Sequence, residues 1–358
     1  MGAPIDRYAT TMKIQYIGCH AVLEYDECRL LAQLGYDVYC NGAYRDPRGA
    51  YTLPRPGIPE MKFDPEFFEL TGLHPKTRLP KEMIDPYDVI VIMSGDSEQI
   101  LMSNWQNIKH KRVIWRTIGQ STSNTERMVA PLRKEGLQII RYSPKEKNIP
   151  NYCGEDTLIR FYKDPEEFKG WVGDDVRVVN FSQTLKGRRD FLHFDEVMGS
   201  IVGHPGSMVY GSGNNDLGQF NGGEIPFEEL KKILRHTRAY VYTGTWPASY
   251  TLGLIEAMMT GTPVVAISKK IAQANRFEQF EFYEVDEIIT DGINGCIGDN
   301  VPALRNRIEA LFTDPALAKR ISEAGRETAI KLFGKETIAQ QWCGFLDKGV
   351  IQNDSQVA

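Results

Sequence analysis

The sequence predicts an α/β protein made of two Rossmann-like, doubly wound parallel-sheet domains that face a cleft. Three observations carry this expectation. Short apolar runs such as Asp88-Val-Ile-Val-Ile-Met93 have the length and β-branched content of strands buried on both faces, as parallel sheets require. These runs alternate with segments whose apolar residues recur at helical spacing, the order expected of βαβ units. The chain has 358 residues, more than one core of ordinary size encloses, and the alternation occurs twice.

Lys13–Ile17 reads as the first buried strand. Leu23–Leu34 follows as a helix stopped by Gly35, and Asp37–Cys40 as the second strand. From Asn41 to Pro86 the chain is rich in Pro, Gly and Asp and reads mostly as loop, with helical character near Pro65–Leu70. Asp88–Met93 and Arg112–Thr117 are strands, and a helix across Asn124–Glu135 leads into strand Gln138–Tyr142. Between Ser143 and Asp175 the pattern gives way to polar, Pro/Gly-containing sequence, where the domain junction is expected. A second series then begins, with strands at Arg177–Phe181, Ser207–Tyr210, Ala239–Thr243 and Pro263–Ile267. Its helices are Phe227–Arg235, Tyr250–Thr260, Val301–Phe312, Pro315–Leu332 and Lys335–Leu346. The expected domains are residues 12–170 and 171–334, with 335–358 returning as a helix to the first. Met1 to Thr11 read as a leader or an added remnant ahead of Met12. No internal repeat or low-complexity tract interrupts the series.

Composition is that of an ordinary globular chain, 42% hydrophobic and 25% charged, with a net charge of -5. That balance argues against a protein that coats a nucleic-acid backbone, which needs clustered Lys and Arg, and leaves room for a local basic groove. None of the six cysteines forms a C-x-x-C pair, and the six histidines show no ligand spacing, so no metal site is expected. There is no signal-type apolar run and no stretch of ~18 apolar residues, so a cytoplasmic protein is expected.

The segment richest in chemistry runs from Tyr240 to Ala266. It reads as strand, loop, helix, tight stop at Gly261, and strand. With Ser249 as N-cap, the helix would start at the carboxyl edge of the sheet and offer free N–H groups to an anion such as a diphosphate. Glu256 stands two turns into an otherwise apolar helix. It either pairs with a nearby Lys or Arg or accepts from the hydroxyls of a ribose or sugar. In Ser182-Gln-Thr-Leu-Lys-Gly-Arg-Arg189, the cations Lys186, Arg188 and Arg189 follow a strand; they are either a solvated turn or part of a site. Tyr210-Gly-Ser-Gly213 is either a tight turn or a close backbone approach to a ligand, with Gly211 at its centre. In the first half, His20, Asp96, Arg116, Thr117 and Gln120 lie at or just beyond strand ends and are candidates for the acceptor side.

These residues resemble the C-terminal signature of retaining glycosyltransferases of family 4, which have the GT-B fold. Glu256-Ala-Met258, Gly261 and Pro263-Val-Val-Ala266 match the family's Glu-Ala-Met and Gly-x-Pro-Val-Val-Ala. Glu287-x3-Asp291-Gly-x-Asn-Gly295 matches its Asp-Gly-x-Asn-Gly loop, and Asp314 to Glu327 its late helical region. The resemblance covers about Val176 to Leu346 closely and the first half by architecture. It implies transfer of a sugar from a nucleotide-diphosphate sugar to an acceptor hydroxyl, with retention and without a resident cofactor or metal. It implies that Glu256 holds the donor ribose, that Ser249, Tyr250, Thr251 and Leu252 lie against sugar and phosphates, and that Gly211 lies near the base. The family's basic pair maps to Gln183 and Arg188, with Lys186 and Arg189 beside them. The family's first glutamate maps to Ala248. Those two departures keep open a catalytically inactive nucleotide-sugar binding protein. A dinucleotide oxidoreductase would need G-x-G-x-x-G after an early strand, and Gly18-Cys-His-Ala-Val22 lacks it. Donor sugar, base, acceptor and oligomeric state are left open, with a lipid, polysaccharide, metabolite or nucleic-acid base all compatible as acceptor.

Overall fold

The computed structural model describes residues 12–42, 44, 61–71, 78–95, 98–119, 121–274 and 280–348. The first half contains β1 (Lys13–Ile17), α1 (Ala21–Gln33), β2 (Asp37–Cys40), β3 (Lys62–Phe63), α2 (Pro65–Thr71) and α3 (Lys81–Ile84). It continues with β4 (Val89–Met93), α4 (Glu98–Ile108), β5 (Arg112–Arg116), α5 (Ser123–Lys134), β6 (Gln138–Arg141) and β7 (Thr157–Leu158). The second half opens with β8 (Asp175–Phe181), α6 (Arg189–Leu192), α7 (Phe194–Ile201), β9 (Met208–Tyr210), β10 (Asn221–Gly223), α8 (Phe227–His236) and β11 (Thr237–Tyr242). After these come α9 (Leu252–Thr260), β12 (Val264–Ile267), α10 (Lys269–Ala272), α11 (Val285–Ile288) and β13 (Cys296–Gly298). The chain closes with α12 (Val301–Thr313), α13 (Pro315–Phe333) and α14 (Lys335–Leu346).

Two parallel sheets result. The first has the order β3-β2-β1-β4-β5-β6-β7 and the second β10-β9-β8-β11-β12-β13. Every strand pair in both is parallel. The apolar runs occupy central positions: all five residues of β4, all six of β11 and all four of β12 are buried. Such strands have helices on both faces, so alternation of polar and apolar residues would be costly there. The order reverses at β1/β4 in one sheet and at β8/β11 in the other. At these switch points neighbouring loops leave in opposite directions and open a crevice at the carboxyl ends of the strands.

The two sheets are joined by a polar and aromatic seam. The Tyr142 hydroxyl accepts from the Ser249 N–H at 2.6 Å, and the Tyr250 hydroxyl donates to the Tyr142 carbonyl at 2.7 Å. Tyr142 stacks on Phe161 with ring centroids 4.8 Å apart, and Tyr250 packs against both. Glu284, 2% exposed, accepts from Ser143 Oγ at 2.5 Å and pairs with Arg160. Lys145 pairs with Glu281 and Glu287. The last helix, α14, lies along the first half. Arg112 donates to the carbonyls of Phe345 and Leu346, and the Tyr36 hydroxyl donates to Asp347 at 2.7 Å. Among the described residues, no helix is long and apolar enough to cross a membrane.

Candidate functional site

A cavity of about 760 Å³ lies between the sheets. Its size falls within the ~300–1,000 Å³ typical of small-molecule sites. The loops after all four switch-point strands reach it. Cys19 and His20 follow β1, Gly95 follows β4, Ser182 and Gln183 follow β8, and Thr243 and Gly244 follow β11. The crevice predicted by topology in each half is therefore one shared space.

The wall from the second half carries most of the polar chemistry. Helix α9 points its N-terminus at the cavity, with Thr251, Leu252 and Gly253 on the lining. Thr251 is the N-cap residue, and its side chain makes no cap hydrogen bond. Its own N–H donates to the Tyr242 hydroxyl at 2.9 Å, which leaves the first-turn N–H groups of α9 for a ligand. Burial pushes the Tyr242 phenol up to about 12, so it stays protonated. At the other end of α9, Gly261 adopts φ 94°, and its N–H closes onto the carbonyls of Ala257 and Met258. About one turn in from the N-terminus, Glu256 reaches the cavity with its side chain 11% exposed. Arg188 and Gln183, from the same half, also line the cavity. Gly211, also on the lining, has φ 135°, and a Cβ there would meet the Ser182 carbonyl oxygen at 2.4 Å, so only glycine lets these two loops cross.

The expected site residues divide in three ways. Glu256, Arg188, Gln183, Gly211, Tyr250, Thr251, Leu252 and His20 all line the cavity. Ser249 is not the N-cap and does not reach the lining. Its N–H is taken by Tyr142 and its carbonyl accepts from the Glu284 N–H, so the helix starts two residues later. Lys186 and Arg189 also lie off the lining. Arg189 bonds Asp195 at 2.9 Å on the surface, and Lys186 stands 3.9 Å from Asp216. These two fit the solvated-turn reading.

Arg116 and Thr117 correct the expectation for β5. Arg116 is 0% exposed and pairs with Glu27, also holding the Ile159 carbonyl at 2.7 Å. Thr117 donates to Glu146 Oε2 at 2.8 Å. Both point into the first half rather than the cleft, and the lining is taken up by the next two residues, Ile118 and Gly119. Asp96 and Gln120 lie outside the described residues.

His20 caps α1, with Nδ1 accepting from the Leu23 N–H at 3.5 Å. A neutral ring with Nδ1 as acceptor carries its proton on Nε2, a donor. Burial, helped by the nearby Lys163 charge, lowers the imidazole to about 4, so it is neutral at physiological pH.

Sequence reasoning missed Lys163 and the acids that meet it. Its ammonium lies 2.7 Å from Glu256 Oε1 and 2.8 Å from Asp26 Oδ2, with the lysine side chain 1% exposed. Glu256 therefore has the lysine partner of the first reading, and it also lines the cavity. A signal was present in α1. Glu24, Asp26 and Glu27 fall within one turn, and all three are buried. Buried carboxylates need partners. Glu24 accepts from the Gly42 and Tyr44 N–H groups, and Glu27 holds Arg116.

No family model matches the chain, and no curated protein sequence matches it. Among solved structures it is similar to the sucrose-phosphate synthase of Thermosynechococcus elongatus, at TM-score 0.67 and 16% identity over 96% of this chain and 100% of that one. It is also similar to HepE of Anabaena in complex with UDP-glucose, at TM-score 0.64 and 16% identity over 94% and 100%. A glycosyltransferase of Rickettsia africae matches at TM-score 0.62 and 14% identity over 94% and 98%. The likeness spans both sheets and establishes the fold as the two-domain GT-B fold of these glycosyltransferases.

Proposed function

We propose that the chain is a retaining glycosyltransferase that moves a sugar from a nucleotide-diphosphate sugar to an acceptor hydroxyl, and that it belongs with family 4. The observation that carries the reading is the single cavity shared by both switch points, with the N-terminus of α9, Arg188 and Glu256 on one wall. In this reading residues 171–334 form the donor half and residues 12–170 the acceptor half, with α14 closing back on the latter.

In this reading the diphosphate lies across the first turn of α9, where oriented N–H dipoles and Arg188 offset its charge without a resident metal. Glu256 accepts from the ribose hydroxyls, and the base lies beside Gly211. The bond between the anomeric carbon and the phosphate oxygen breaks, and the acceptor oxygen bonds to that carbon on the same face. The acceptor proton passes to the departing diphosphate oxygen, so no protein nucleophile is needed. His20, as a neutral Nε2–H donor, faces the transferred sugar from the opposite wall. Closure of two lobes limits attack by water.

A second reading, a donor-binding protein without turnover, is favoured by Ala248. It lines the cavity where the resembled family has a glutamate, and its side chain offers no polar atom. Two measurements separate the readings. In a thermal-unfolding panel of UDP-, GDP- and ADP-sugars, the right donor at 100 times its Kd stabilises by about 2.7 kcal/mol. Glu256→Ala abolishes that shift, and an undiminished shift excludes the ribose contact. Release of nucleoside diphosphate in the presence of an acceptor identifies an enzyme. Binding with no release against any acceptor identifies the inactive form.

A further inference from the structure

Lys163 lies in the connector between the two sheets, after β7. Its backbone N–H donates to the Phe333 carbonyl at 3.0 Å, at the end of α13, so its root is anchored in the second half. Its ammonium lies between one carboxylate from each half, Asp26 of α1 at 2.8 Å and Glu256 of α9 at 2.7 Å. The Phe168 ring lies 5.3 Å from the ammonium. Burying a cation this completely is costly unless carboxylates compensate it, and the two carboxylates would repel each other without it.

The consequence concerns the cavity. Lys163 holds Oε1 of Glu256, and among the described residues no hydrogen bond takes Oε2. Glu256 belongs to the lining. The ion pair thus draws one oxygen of the carboxylate toward the ammonium and leaves the other for a ligand donor. An unrestrained glutamate would sample several orientations and lose rotamer entropy on each binding event.

We infer that Lys163 is a positioning residue that orients the Glu256 carboxylate toward the ribose hydroxyls of a nucleoside diphosphate, and so sets the preference for a ribo- over a deoxyribonucleotide. The inference rests on the proposed donor site and adds a residue from outside the donor half. Discrimination arises because a buried charged acceptor loses its partner when the hydroxyl is missing, a difference of about tenfold or more.

The test is calorimetric titration of the full chain with the pairs UDP/2′-deoxy-UDP, GDP/2′-deoxy-GDP and ADP/2′-deoxy-ADP. The wild type binds one ribonucleotide about tenfold or more tighter than its deoxy partner. In Lys163→Met the ratio falls toward one, while affinity for the deoxy form changes less than about threefold. In Asp26→Asn the ammonium remains on Glu256 and the ratio is kept. Equal weakening of both nucleotides in Lys163→Met, with the ratio preserved, would reduce Lys163 to a structural role and overturn the inference alone. Loss of the ratio in Asp26→Asn to the same extent as in Lys163→Met would overturn it too. A wild type that binds none of the six, or binds without preference, overturns the donor-site reading together with the inference. If Lys163→Met does not fold, the double variant Lys163→Met/Asp26→Asn removes one charge of each sign and carries the same comparison.

Discussion

The two halves place loops at the same topological position, yet they use their polar groups in opposite ways. At the switch point of the second sheet, Gln183, Arg188, Glu256 and the first turn of α9 face the cavity. Around the first sheet the corresponding chemistry is turned inward. Arg116 is spent on Glu27, Thr117 on Glu146, and Arg141 on Glu126 through two bonds of 2.6 and 2.8 Å. Among the described residues, what reaches the cavity from that half is uncharged: Cys19, His20, Val22, Leu23, Gly95, Ile118, Gly119 and Phe161. The lesson is that topology provides a crevice twice, whereas chemistry depends on which ionisable groups reach its lining. In the proposed division of labour, the first half walls the site and the second grips the donor.

Three experiments would break or sharpen this contrast. The largest effect is expected at the inward-facing pair. Arg116→Met strands the Glu27 carboxylate, 1% exposed, and should destabilise the fold by about 3–5 kcal/mol in urea titration. Nucleotide affinity of the folded fraction should change little. A variant of normal stability with impaired binding would place Arg116 in the site after all. Next comes Arg188→Ala, for which transfer should fall by ~10²–10³-fold if its charge meets the diphosphate. Arg189→Ala, which breaks a surface pair with Asp195 and a contact over the Phe194 ring, should stay within about 0.5 kcal/mol in stability and near wild type in rate. Equal losses in the two would dissolve the distinction between lining and surface cations.

The smallest effect is a pH dependence at His20. Its folded pKa is lowered to about 4 from an ordinary value of 6.5. Between those values the unfolded chain binds a proton that the folded chain refuses, so this residue takes stability away as pH falls from 6.5 toward 4. Above pH 6.5 it contributes no pH dependence. His20→Asn keeps a capping acceptor for α1 and should flatten that part of the profile. Superimposable urea midpoints for the two proteins at pH 5 and pH 7 would show that His20 is not held neutral.

Much of the frame was legible in the residue order. The central strands were, because apolar runs with helical flanks have few other ways to bury both faces; Lys335–Leu346 was recognised to the residue. The edge strands β3, β7, β10 and β13 were not, since two or three residues carry no periodicity. Helices α4 and α7 also went unread beside stronger neighbouring signals. The start of α9 was misplaced by two residues. Ser249 has the right chemistry for a cap, but Tyr142, 107 positions earlier, takes its N–H.

Sequence alone determined the class of the fold, because hydrophobic period and loop chemistry act over a few residues and are written in local order. It also marked Glu256 as a carboxylate out of place on an apolar helix. What only the tertiary structure decided is the pairing of charges. Whether Arg116 faces substrate or Glu27, and whether Glu256 meets a lysine, depends on which distant side chains share a low-dielectric space. Electrostatic partnership is set by separation in space, and chain order records little of it.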